Sequence, residues 1–157
     1  MKHSDGQEAS VVALFHELIG AKIILGYHTL KMGYKMTYDA WSIYIIPQGI
    51  KNLPTDLSSG SEIPVIIEFK YKAEDVLNDF KNDIKYFTDI DLLVCWDLDE
   101  SKLAKEGVDV EPISSDSSLF HSANYKLTWR GSYNLGTAGQ KLVISLRHLI
   151  SDIVKQK

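Results

Sequence analysis

Glu68 and Lys70 stand two residues apart in a segment, 64–72, that alternates apolar and polar side chains. In an extended chain that spacing puts both on one face with Cα atoms about 6.5 to 7 Å apart, so a carboxylate and an ammonium converge. Burying such a pair among apolar neighbours is costly unless a metal, a substrate or hydrogen bonds compensate. Asp39 enters an earlier strand-like segment and supplies a second carboxylate if the two strands pair in the right register. Two hard oxygen ligands on neighbouring strands suit Mg2+, with Mn2+ as a substitute, because Mg2+ keeps several waters and takes its remaining ligands from phosphate. A metal held by Asp39 and Glu68 would polarise a phosphoryl oxygen and activate a water, while Lys70 orients that water or stabilises the developing charge. Glu8 is a fourth candidate, since positions 8, 12, 15 and 19 form one helical stripe with Val12, Phe15 and Ile19. Glu17 lies about half a turn from Glu8 and is expected to face solvent.

Each of these residues also has a plainer reading. Glu68 and Lys70 would make an ordinary ion pair on a solvated strand face. Asp39 would be a turn residue leading into a strand, and Glu8 a carboxylate favoured by a helix N-terminus. Removing Lys70 by substitution with alanine is expected to abolish catalysis and leave folding largely intact, because it opens no core cavity.

The elements that must position these groups follow from periodicity. Apolar residues Val11, Val12, Phe15, Leu18 and Ile19 recur at helical spacing and Gly20 ends the run. Residues 38–46 are rich in aromatic and β-branched side chains and stop at Pro47, as a strand does; a partner strand is expected over 23–30. Residues 47–64 hold too many breakers for a core element and read as a mobile loop. Residues 73–89 return to helical period, with Val76, Leu77, Phe80, Ile84 and Phe87 inward and Asp75, Asp79, Lys81 and Lys85 outside that stripe. In 91–97 both faces are apolar, which marks a central strand, and a helix between two adjacent strands implies a parallel crossover. Short strands are expected at 108–113 and 125–129, separated by the polar tract 114–118. A last helix is expected over 137–155, capped by Thr137, with Leu142, Leu146, Leu149, Ile150 and Ile153 on one stripe. The fold class expected is α/β: one domain, 1–157, with a mixed central sheet of four to six strands flanked by helices.

Composition excludes several classes. The 157 residues suffice for one core, and 45% hydrophobic with 24% charged residues is ordinary for a globular domain. No apolar run reaches the 18 or so residues of a membrane span, and the first ten residues are polar rather than signal-like, so a cytoplasmic location is expected. The single cysteine, Cys95, sits in an apolar strand and reads as a buried thiol. The five histidines lack the paired spacing of a zinc site, and no G-x-S-x-G or phosphate-binding glycine loop is present. Trp41, Trp96 and Trp129 are read as core or sheet packing. A net charge of −4 weighs against tight non-specific nucleic-acid binding, although acids distant from a basic groove do not prevent it.

Asp39 followed by Glu68-Phe69-Lys70 resembles the motif of the PD-(D/E)xK nuclease family, the restriction-endonuclease-like fold. The likeness extends by element order over residues 8–97, through 8–15, 37–39, 65–70 and 93–97; Tyr38 stands where the family's name places proline. The resemblance implies that Asp39 and Glu68 bind Mg2+, that Lys70 is catalytic, and that Glu8 supports the site from the first helix. It implies hydrolysis of phosphodiester bonds, DNA ahead of RNA, with a homodimer or a larger multidomain protein as the setting and no membrane partner. The alternative function is a non-catalytic module of the same fold that binds nucleic acid or protein in a regulatory role.

Overall fold

The computed structural model describes residues 5–32, 40–82, 89–114, 118–129 and 139–157. Helix α1, Asp5–Gly20, buries Val11, Phe15 and Leu18 and leaves Glu17 exposed, as the spacing requires. Strands β1 (Tyr27–Met32), β2 (Ala40–Ile45) and β3 (Glu62–Lys72) form an antiparallel meander. The first strand starts later than expected, because residues 21–26 turn rather than extend. Gly26 closes that turn at φ +98°, with its carbonyl accepting from Ile45 N at 2.8 Å. A Cβ there would stand 2.6 Å from Ile45 O, so only glycine fits. The 47–61 segment is irregular as expected, but backbone bonds tie it down: Gly60 N to Ile46 O at 2.8 Å and Ile46 N to Ser61 O at 3.0 Å.

After β3 the chain makes a 3-10 turn, Ala73–Asp75, and then α2, Val76–Lys81, whose Val76, Leu77 and Phe80 are buried. The expected continuation through Ile84, Lys85 and Phe87 lies outside the described residues. Strand β4, Leu92–Asp97, runs parallel to β3, so the crossover read from the sequence is present. Alternation along β4 serves two cores. Leu92 and Val94 join Val11, Phe15, Val65, Ile67 and Phe69 on the α1 side, while Leu93 and Cys95 join Val76, Leu77, Phe80 and Leu103 on the other.

The charged connection after β4 contains a short helix that the sequence reading lacked: α3, Glu100–Lys105, capped by the Asp99 side chain accepting from Lys102 N. Strands β5 (Val108–Pro112) and β6 (Tyr125–Trp129) fall where expected and pair antiparallel. The last segment does not. Gly139–Ser145 is a strand, β7, and only Leu146–Lys155 is helical, as α4; Thr137 lies outside the described residues. Strand β7 lies between β4, to which it is parallel, and β6, to which it is antiparallel, so Val143 and Ile144 are buried on opposite faces. The result is an α/β fold with one mixed sheet of seven strands, ordered β1-β2-β3-β4-β7-β6-β5, rather than four to six. Trp129 is a core residue, whereas Trp41, on β2, is 48% exposed and belongs to the sheet rather than to the core.

Candidate functional site

Ile66, Glu68 and Lys70 alternate onto the sheet face against which α2 packs. Glu68 is wholly buried, and the Lys70 side chain is 12% exposed. Its Nζ lies 3.6 Å from Glu68 Oε1, 3.3 Å from Glu8 Oε1 and 2.8 Å from Asp79 Oδ2. One ammonium is therefore shared by three carboxylates delivered from β3, α1 and α2. Burial by itself would lower the Lys70 pKa, but the Asp79 hydrogen bond and the charges of Glu68, Asp79 and Glu8 overcome it. The amine is held above the ordinary lysine range and stays a cation at neutral pH.

The structure thus brings together Glu8, Glu68 and Lys70, three of the four residues singled out in the sequence. Asp39 lies outside the described residues. Ala40, which follows it in the chain, pairs with Ile67, the neighbour of Glu68. Asp79 joins Glu8, Glu68 and Lys70 without having been a candidate: it lies outside the apolar stripe of α2, as expected, yet its side chain is only 19% exposed and makes the shortest of the three contacts to Lys70. The available signal was its position at the border of the Val76–Phe80 stripe, on a helix that must fold back over the end of β3 within a few residues.

The same geometry changes the expectation for Lys70→Ala. With a fully buried carboxylate beside it, Lys70 supplies neutralising charge to the interior, and its loss should destabilise the fold as well as the site.

Carboxylates are the oxygen donors that Mg2+ takes, so Glu68 has the right chemistry for a ligand. Among the described residues no three His, Cys, Asp or Glu side chains group closely enough to hold a metal ion. In the two-carboxylate site that the motif implies, the second carboxylate is Asp39, which lies outside the described residues.

A second polar cluster ends β4. Asp97 receives Arg147 Nε at 3.0 Å, Arg147 Nη2 at 3.1 Å and Leu98 N at 2.8 Å. Burial raises its pKa, but Arg147 and the Leu98 N–H outweigh that and hold it below the ordinary value. Ser145 Oγ lies 2.8 Å from His148 Nδ1, which resembles a hydrolase relay until the nitrogens are compared. Asp97 Oδ1 approaches that same Nδ1, at 3.9 Å, whereas a relay needs serine and aspartate on opposite ring nitrogens. Ser145 is also fully buried and donates to Trp96 O at 3.2 Å. These groups pin the β7–α4 junction to β4.

No family model matches the chain, and neither a curated protein nor a solved structure matches it. Among the described residues no helix is long and apolar enough to cross a membrane.

Two further described histidines have structural partners. His16 bonds Val12 O at 2.8 Å and Thr29 Oγ1 at 3.1 Å, and His121 Nδ1 accepts from Leu25 N at 3.1 Å. Cys95 is buried, and its burial among apolar side chains pushes the thiol pKa far up, which leaves it inert as a nucleophile.

Proposed function

We propose that this chain is a metal-dependent nuclease of the PD-(D/E)xK type, with the restriction-endonuclease-like fold. The observation that carries the reading is the wholly buried Glu68 carboxylate with the Lys70 ammonium 3.6 Å away. Both lie in the C-terminal half of β3, beside the parallel neighbour β4. The carboxyl ends of parallel strands are where open α/β sheets bind their ligands. The element order over residues 8–97, helix, three strands, helix, strand, agrees with the resemblance.

In this reading Glu68 and Asp39 hold Mg2+, or Mn2+ in its place, and Glu8 supports the site by its contact with Lys70. The bound ion would supply Lewis-acid polarisation of the phosphoryl oxygen and a water of lowered pKa. Lys70, fixed as a cation, donates hydrogen bonds to the phosphate oxygens as charge develops there rather than removing a proton. The substrate is nucleic acid, DNA ahead of RNA, and the protein acts as a homodimer or within a larger assembly.

Calorimetric titration of Mg2+ and Mn2+ separates this reading from a non-catalytic regulatory module. Binding by the wild type that is lost in Asp39→Ala and in Glu68→Ala is expected. No binding by the wild type, in the presence or absence of DNA, would favour the module.

A further inference from the structure

We propose that Asp79 is a positioning residue: from α2 it sets where the Lys70 ammonium stands relative to Glu68. A lysine side chain ends in a freely rotating stem, so a productive position has to be imposed from outside. Glu68, two residues away on the same strand, approaches only to 3.6 Å, beyond hydrogen-bond reach. Glu8 approaches to 3.3 Å but its side chain is 40% exposed, so water competes for it. Asp79 stands nearest, at 2.8 Å, and at 19% exposure its ion pair is better shielded from water than that of Glu8.

Its own backbone is fixed. Val76, Leu77 and Phe80 anchor α2 in the core at 2%, 5% and 5% exposure, on both sides of Asp79 in the sequence. Glu8 belongs to the helix whose apolar face packs in the other core. Loss of Asp79 therefore leaves the ammonium drawn toward α1 and free of its Asp79 tie to α2. The catalytic consequence rests on the nuclease reading; the positional one does not.

The test uses the full chain and two readouts. The first is the acetylation rate of the Lys70 amine by acetic anhydride at one fixed pH, relative to exposed Lys22, followed by mass spectrometry. Asp79→Asn should raise it at least about fivefold, and Asp79→Glu, which restores the carboxylate, should return it toward wild type. The second is DNA cleavage with Mg2+, in which Asp79→Asn should lower kcat about 100-fold with KM within about twofold, as expected of a misplaced group. Glu106→Gln serves as the structural control. It breaks the 2.7 Å Lys81–Glu106 pair that ties α2 to the α3 end without touching Lys70, and should move neither readout.

Unchanged Lys70 labelling in folded Asp79→Asn overturns the proposal, as does an equal rise in Glu106→Gln. Raised labelling with unchanged kcat overturns its catalytic part. Should Asp79→Asn fail to fold, labelling in Asp79→Ser decides: a Lys70 rate at least about fivefold above wild type supports the proposal, and an unaltered rate overturns it. If the wild type cleaves nothing, the nuclease reading fails and the labelling alone judges Asp79.

Discussion

A carboxylate with no exposed surface is tolerated only beside compensating charge, and Lys70 supplies that charge to Glu68. Lys70→Ala should therefore lower stability by about 3 kcal/mol, measured by urea denaturation, because it leaves a buried charge with its partner removed. Glu68→Gln should be milder, since Asp79 and Glu8 still neutralise the ammonium. If Lys70→Ala unfolded at the wild-type midpoint, the carboxylate would have to be compensated elsewhere. His121 gives a pH prediction. Its Nδ1 accepts from Leu25 N, which requires the neutral ring, and burial lowers its pKa from the ordinary 6.5. The unfolded chain then binds the proton first as pH falls. Stability held above about pH 6.5 should decline below it, until His121 protonates in the folded state as well. His121→Asn should flatten that decline, and identical slopes in the two proteins would contradict it.

Elements were legible where one periodicity ruled. The strict alternation of β3, the two-sided apolar run of β4 and the stripe of α1 all fold as their spacing dictates. Residues 139–155 show the limit. Leu142 and Leu146 are four apart and align with Leu149, Ile150 and Ile153, so a strand followed by a helix reads as one long helix. The β-branched pair Val143-Ile144 and the open place between β4 and β6 decide for the strand, and the second cause is tertiary and invisible locally. The site divides in the same way. Glu68 and Lys70 were readable because strand period fixes their common face, whereas Asp79 depends on how α2 docks over β3. Trp41 was readable as a core or sheet residue, but not as a half-exposed one, because the sequence of β2 does not disclose which face is covered. Ile144→Ala tests the reassignment: a fully buried position at the sheet centre should lose about 2 to 5 kcal/mol. A loss under about 1 kcal/mol would contradict β7 as a core strand.

At the scale of the whole molecule, three parallel strands, β3, β4 and β7, form the middle of the sheet, with antiparallel strands added on both sides. Helices on both faces close two cores, and the ends of those helices bring Glu8 and Asp79 to the Lys70 amine. A net charge of −4 limits long-range attraction of nucleic acid, so the proposed activity depends on local neutralisation at the site. The most direct measurement is the cleavage of supercoiled plasmid DNA by the purified chain with Mg2+, with EDTA added in excess, and by Glu68→Gln with Mg2+. The account predicts nicking or linearisation by the wild type that EDTA abolishes and that Glu68→Gln lacks. Cleavage by folded Glu68→Gln at the wild-type rate, or none by the wild type with either metal on DNA or RNA, would contradict it.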